Sequence, residues 1–227
     1  MSILRYLPYL LGLILILVLV YIAFKPSIDA QFAPRPLAAA ELRDYQGQKL
    51  SSVYDFRENS IKGPQHIDIA NYTLEVTGMV RSPKNFTYRE VVDGHTNYSR
   101  VVTLNCVEGW SVTILWEGVR IEDLLNETGI DPNAKYVTFY AYDGYSTSFP
   151  LSYILDNHIM IAFKQNGQTM LPERGFPFQL VAENKWGYKW IKWVTKIELT
   201  DQPGGGYWES RGYSEDGSLN RSFMGGL

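Results

Sequence analysis

Polar and apolar positions alternate with the period of a β-strand in several stretches of this chain. In Tyr72-Thr-Leu-Glu-Val-Thr-Gly-Met-Val80 the side chains at Tyr72, Leu74 and Val76 are apolar and those between them polar. That alternation predicts a strand with one buried face. Further strands are predicted at Arg100–Asn105, Ser111–Leu115, Tyr136–Tyr142, Tyr145–Leu151, His158–Lys164, Phe178–Glu183 and Trp190–Leu199. Asp143-Gly144 and Asn166-Gly167 are tight hairpin signals, because both favour the positive φ that such turns require. Trp116-Glu-Gly118 reads as a turn. Helical signals are short. Thr87-Tyr-Arg-Glu90 is a capping box that starts a helix carrying Val91 and Val92. Ile121-Glu-Asp-Leu-Leu125 has helical spacing and Gly129 suits its C-terminal cap. Leu37 to Tyr45 is a further helix-capable piece. Strands dominate, so the fold class expected is α+β, with mixed or antiparallel sheets and short helices between them.

The ends of the chain have a different pattern. Tyr6 to Phe24 is uncharged and almost wholly apolar, bounded by Arg5 and Lys25. As a helix it would span roughly 28 Å, close to the hydrocarbon thickness of a bilayer. Residues 1–25 are therefore expected to be an uncleaved transmembrane anchor rather than a signal peptide. Residues 26–52, with Pro26, Pro34 and Pro36, read as a linker, residues 53–201 as one globular domain, and residues 202–227 as an irregular tail. Charge places more cations after the apolar run (Lys25, Arg35, Arg43) than before it (Arg5), which leans towards a cytoplasmic domain. Asn-x-Ser/Thr sequons at Asn71, Asn85, Asn97, Asn126 and Asn220 lean the other way, since roughly one or two would arise by chance. The expectation is a single-pass membrane protein with its domain outside the cytoplasm.

A formal net charge of −3 gives no basic footprint for nucleic acid. The chain has no Gly-x-Ser-x-Gly, no phosphate-binding Gly-x-x-x-x-Gly-Lys and no His-Glu-x-x-His. His66, His95 and His158 are far apart. There is one cysteine, Cys106, where the apolar run Val101–Leu104 gives way to a polar, glycine-containing turn. One cysteine forms no intramolecular disulfide and no all-cysteine zinc or iron–sulfur site. If it does chemistry, it acts as a single thiolate, either a nucleophile or a ligand to a soft metal centre. Otherwise it is a small buried apolar residue.

Seven segments stand in order: Phe56-Arg-Glu-Asn-Ser-Ile-Lys-Gly-Pro64, Tyr72–Gly78, Thr103-Leu-Asn-Cys-Val-Glu-Gly-Trp-Ser111, Trp116–Val119, Asp143-Gly-Tyr-Ser-Thr-Ser-Phe-Pro-Leu151, Arg174-Gly-Phe-Pro-Phe-Gln-Leu180 and Trp186-Gly-Tyr-Lys-Trp-Ile-Lys-Trp193. Together, over Asp55 to Thr200, they resemble the molybdopterin-binding domain of the sulfite oxidase family. The resemblance is nearest to its short members, such as the catalytic subunit of periplasmic methionine sulfoxide reductase. It implies a molybdenum–molybdopterin cofactor, with tungsten as the alternative metal, and Cys106 as the protein's ligand to the metal. It implies that Asn59 and Ser60 touch the pterin, that Tyr145 is an active-site tyrosine with Thr147 alongside, and that Arg174 contacts the cofactor. Gly187, Tyr188 and Lys189, with Lys192 nearby, are implied as the loop that holds the pterin phosphate. A glycine turn with lysine is also a reasonable anion site on its own terms.

Two departures bear on substrate. Gln179 stands where the family usually has arginine. Val107-Glu-Gly-Trp-Ser111 replaces the arginines that follow the metal cysteine in true sulfite oxidases, and a carboxylate and an indole do not attract sulfite. The expected activity is oxygen-atom transfer to or from a small molecule, with S-oxide or N-oxide reduction favoured over sulfite oxidation. Its electrons would come through a membrane haem- or quinone-linked partner, because the chain has no second recognisable redox site. Two rivals remain: a binding module that has lost the cofactor, and a cysteine-nucleophile enzyme.

Overall fold

The computed structural model describes residues 9, 12–16, 18–22, 25 and 40–225. The chain divides into two units, Met1–Ala38 and Ala39–Leu227. In the first, the described residues have helical backbone. The anchor expected over Tyr6–Phe24 lies in good part outside the described residues; among those described, no helix is long and apolar enough to cross a membrane.

The second unit is built from β1 (Asp44–Tyr45), β2 (Gln48–Lys49), β3 (Thr73–Gly78), β4 (Lys84–Thr87), α1 (Tyr88–Gly94), β5 (Tyr98–Asn105), β6 (Ser111–Arg120), α2 (Ile121–Thr128), β7 (Tyr136–Ala141), β8 (Ser146–Pro150), α3 (Leu151–Asp156), β9 (Met160–Gln165), β10 (Gln168–Thr169), β11 (Gln179–Val181) and β12 (Val194–Thr200). One sheet has the order β4-β3-β12-β7-β8, with β12 parallel to β3 and every other pair antiparallel. The second has the order β10-β9-β6-β5 with β11 also on β9, all antiparallel. The architecture is the expected α+β class, and the two sheets share one apolar core. Leu74, Val76, Phe139 and Ile197 enter it from the first sheet, and Ile114, Trp116 and Ile161 from the second. Burying Tyr72, Leu74 and Val76 while Thr73 and Glu75 stay exposed follows directly from the alternation in sequence.

Local chemistry explains most boundaries. The Thr87 hydroxyl accepts from Glu90 N and the Glu90 carboxylate accepts from Thr87 N, so the capping box forms at the start of α1. Gly129 closes α2 at φ 71°. Asn166 and Gly167, both at positive φ, turn β9 back into β10.

Three expectations are corrected. Trp116-Glu-Gly118 is not a turn: β6 runs on to Arg120, with an irregularity at Glu117/Gly118 in its pairing with β9. A Cβ on Gly118 would lie 2.0 Å from Ile161 O, so this glycine permits close strand approach instead of reversing the chain. Of the helix-capable piece, residues 40–45 contain no helix, and Asp44–Tyr45 pairs with Gln48–Lys49 about a Gln46-Gly47 turn. Residues 40–52 of the expected linker are docked on the domain. Leu50 is buried, Ser51 N donates to Thr113 O at 2.8 Å, and the Glu41 carboxylate accepts from Val53 N, Ser52 Oγ and Asn166 Nδ2. Over residues 202–225 the tail has an irregular backbone apart from a 3-10 turn at Glu209–Arg211, yet it too is docked on the domain.

Candidate functional site

Cys106 follows the last residue of β5, where strand pairing with β6 ends. Its N–H donates to Trp110 O at 2.9 Å and its carbonyl accepts from Gly109 N at 3.1 Å, which closes a tight turn. Gly109 supplies the φ of 87° that this turn needs. A side chain at a strand end can face a cleft that a mid-strand residue would turn away from. Cys106 lines a cleft of about 520 Å³. Asn59 Nδ2 lies 3.6 Å from its sulfur and donates to it. Burial pushes the thiol pKa up and the Glu108 carboxylate adds to the rise; the backbone N–H of Glu108 opposes it most, followed by the Asn59 hydrogen bond and Arg57.

The loop that carries Asn59 is held by Arg174. Its guanidinium donates to Val53 O at 2.8 Å and to Phe56 O at 2.7 Å, and lies 3.7 Å over the Phe56 ring. Lys192 donates to Glu58 at 2.5 Å and to Glu173 O at 3.1 Å. Burial lowers its pKa, and the Glu58 carboxylate counteracts this. The other wall is the 3-10 turn Gly187–Lys189, joined to the end of β5 by a parallel bridge between Asn105 and Trp186. A Cβ on Gly187 would sit 3.3 Å from Asn105 O and 3.4 Å from Cys106 Cα, so glycine lets this turn press against the cysteine backbone. The Tyr145 phenol donates to Tyr188 O at 2.5 Å, and Tyr145 N donates to Asp143 Oδ1 at 3.0 Å. Burial, reinforced by Glu209, pushes the Tyr145 phenol well above its ordinary range, so it is neutral at physiological pH.

The cleft thus gathers Asn59, Ser60, Cys106, Tyr145, Arg174, Gly187, Tyr188 and Lys192 of the residues expected from sequence. It does not gather Thr147 or Lys189. Both are fully buried behind the wall, where each donates to Glu209. Sequence reasoning missed the aromatic wall that the tail supplies, Trp208 and Tyr213. The available signal was the aromatic run Tyr207-Trp208 directly after Gly204-Gly-Gly206. It also missed the pairing at the mouth. There Glu108 accepts from Trp110 Nε1 at 3.2 Å and lies 3.4 Å from Arg57, contacts that hold its pKa below the usual carboxylate value.

This donor set suits a cofactor that brings its own metal ligands. Among the described residues, no group of three or more His, Cys, Asp or Glu could hold a metal ion. A metal at Cys106 would therefore take its remaining donors from elsewhere. Ser60 Oγ is buried without a hydrogen-bond partner on the cleft wall, which an incoming polar group would satisfy. The volume, the single thiol, the orphaned hydroxyl and the Lys192 cation together fit a polar, sulfur-bearing organic cofactor.

Comparison with known proteins agrees. The family model for the oxidoreductase molybdopterin binding domain matches residues 61–208. The chain is 32% identical over 151 residues to the oxidoreductase YuiH of Bacillus subtilis (strain 168), covering 66% of this chain and 76% of that protein. It is 29% identical over 147 residues to the protein-methionine-sulfoxide reductase catalytic subunit MsrP of Gluconobacter oxydans (strain 621H), covering 57% of this chain and 47% of that protein. The sulfane dehydrogenase SoxCD from Paracoccus pantotrophus shares the fold, with a TM-score of 0.61 at 24% identity over 68% of this chain and 43% of that one. The chain belongs to the oxidoreductase molybdopterin-binding domain family and is an enzyme whose cofactor is molybdenum–molybdopterin.

Proposed function

We propose that this enzyme transfers an oxygen atom to or from a small molecule at a molybdenum centre ligated by Cys106, and that it reduces an S-oxide or N-oxide in preference to oxidising sulfite. The observation that carries this reading is the cleft in which Cys106 is bonded by Asn59. When bound, the molybdenum–molybdopterin group supplies two-electron oxygen-atom-transfer chemistry.

The chain's own residues supply the rest. The Cys106 thiolate is the soft donor to the metal. Asn59 orients that sulfur and favours its charged form. Ser60 Oγ and the backbone around Gly187 and Tyr188 offer polar contacts to the pterin. Lys192, on the cleft wall and paired with Glu58 and Glu173 O, keeps one ammonium proton for the phosphate. Tyr145 closes one side as a neutral phenol, and Trp110, Trp208 and Tyr213 exclude water.

The mouth carries Glu108 beside Arg57, so its charges compensate one another. An anion such as sulfite meets no surplus of positive charge there, whereas an uncharged oxide meets an indole and hydrogen-bonding groups. The fit of a neutral oxide is supported further by the relative named as a methionine-sulfoxide reductase subunit. The anchor over Tyr6–Phe24 and a membrane haem- or quinone-linked electron partner belong to the same reading. So does an extracytoplasmic domain, where the five sequon asparagines are all exposed.

The test is turnover of the purified enzyme with a reduced dye as electron donor. Reduction of methyl sulfoxides or amine N-oxides, with sulfite oxidation at least ~100-fold slower in kcat/KM, is expected from the uncompensated cost of desolvating sulfite. Faster sulfite oxidation would reverse the substrate assignment. Glycans at Asn71, Asn85, Asn97, Asn126 and Asn220 in native material would support the outside orientation, and bare sites would move the domain inside.

A further inference from the structure

We infer that the buried Lys189–Glu209 ion pair is a positioning device that assembles the cleft wall, and that Lys189 does not bind the cofactor. The inference rests on the cleft being the cofactor site.

The Lys189 ammonium has three protons and three partners: Glu209 Oε1 at 2.7 Å, Ser148 O at 2.8 Å and Glu215 O at 2.9 Å. None remains for a phosphate. Glu209 Oε1 also accepts from Thr147 Oγ1 at 2.6 Å. The two charged side chains are 1% and 2% exposed, so this pair is shielded from solvent on every side.

Two glycines fit the backbone around the pair. A Cβ on Gly206 would lie 2.1 Å from Glu209 Oε2. A Cβ on Gly217, at φ 62°, would lie 2.5 Å from Lys189 Cγ. The tail therefore closes over the pair with no side chain in between.

The segments joined here are those that shape the cleft. Thr147 and Ser148 belong to β8, which begins one residue after Tyr145. Lys189 ends the turn that begins with Gly187, against Cys106. Glu209 and Glu215 flank the tail segment that carries Tyr213, and Trp208 adjoins Glu209. Lighter threads follow the same route. Tyr145 donates to Tyr188 O, Tyr188 donates to Ser214 O at 2.7 Å, and Trp186 N donates to Gly217 O at 2.8 Å.

A buried pair like this is poor value as a source of stability, because desolvation offsets the attraction and an apolar pair of similar size folds as well. What an apolar pair cannot do is fix three segments in one arrangement through directed hydrogen bonds. That makes Lys189 and Glu209 positioning residues, acting on the cleft through Tyr188, Trp208 and Tyr213.

The test uses the full chain purified with its cofactor. It compares wild type with the Lys189→Met/Glu209→Met double variant, with Thr147→Val and with Glu209→Gln. Amide hydrogen exchange over residues 206–217, thermal unfolding and the rate of molybdenum loss on dilution are measured for each. The double variant is expected to unfold near the wild-type temperature, while exchange in 206–217 speeds up by ~10-fold or more and β5–β6 stays unchanged. Its metal loss is expected to be ~10-fold faster, an effect that a purely stabilising role would not produce without a fall in melting temperature. If the double variant does not fold, Thr147→Val decides, with exchange over 206–217 expected to rise by ~3-fold or more. Glu209→Gln keeps an acceptor oxygen for Lys189 and Thr147 but leaves the buried Lys189 cation without its counter-ion, so it is expected to lower the melting temperature as well as to speed exchange over 206–217. Wild-type exchange and wild-type metal retention in the double variant, or unchanged exchange in Thr147→Val, would overturn the proposal. A wild type that carries no molybdenum would instead overturn the cofactor reading of the cleft, and the exchange comparison would still decide the role of the pair.

Discussion

The side-chain amide of Asn59 donates to Cys106 Sγ across 3.6 Å, joining two loops 47 residues apart in sequence. A hydrogen bond to sulfur from a fixed amide both aims the thiolate and stabilises its charge. Asn59→Ala is predicted to lower metal affinity or activity by ~10–100-fold, the usual cost of losing a partner that orients a metal ligand. The melting temperature should hardly move, because Asn59 is exposed. Metal content after dialysis against a chelator, beside a thermal melt, checks both halves.

Arg174 fixes the backbone that presents Asn59. Its two hydrogen bonds to Val53 O and Phe56 O need the planar fork of a guanidinium, and Phe56 packs under its face. Arg174→Lys is predicted to destabilise the domain by about 2–4 kcal/mol. Urea unfolding measures that loss, and limited proteolysis should cut first within residues 53–59.

Buried tyrosines set the alkaline limit. Burial holds Tyr72 and Tyr145 well above the ordinary value of 10.0. Burial, together with Glu198, raises Tyr140 to about 12. A pKa raised by folding means that the folded state binds the proton more tightly. The stabilisation is complete below the unfolded pKa and is lost as pH rises through the folded one. Stability measured by urea titration should therefore be flat in these groups up to pH 10.0 and fall above it. Tyr140→Phe should flatten the part of that fall that ends near 12.

Glu41 sets an acid limit on the segment before the cleft. Burial pushes its carboxyl up, but Val53 N, Asn166, Ser52 and Arg43 together hold its pKa below the ordinary 4.5. A depressed carboxylate pKa gives stability that is present above 4.5 and lost as pH falls below it. Residues 40–53 are predicted to loosen first on acidification, and Glu41→Gln should loosen them at neutral pH. Hydrogen exchange of Leu42, Leu50 and Ser51 N–H, all paired in the structure, reads this directly.

The parts of this fold that were legible in sequence are those decided locally. The alternation from Tyr72 to Val76, the Thr87–Glu90 capping box and the Asn166-Gly167 turn each act within a few residues. Gly118 misled because its reason lies elsewhere: a glycine beside Trp116 and Glu117 looks like a turn until Ile161 O is seen against it. The cleft was legible through the ordered segments around Cys106. Lys189 could not be separated from Lys192 by sequence, since both follow Gly187 within one short run. Only the position of Glu209, 20 residues on, turns one lysine inward while the other faces the cleft. Trp208 and Tyr213 were lost in a glycine-rich tail whose course depends on that same pair.

The central claim is that Cys106 holds the metal of a molybdenum–molybdopterin enzyme. Molybdenum and pterin analysis of purified wild type beside Cys106→Ser tests it most directly. The prediction is about one molybdenum per wild-type chain, with activity lost in Cys106→Ser even where pterin is retained, because a serine oxygen is a harder donor than a thiolate. Equal metal content and equal activity in the two proteins would contradict it.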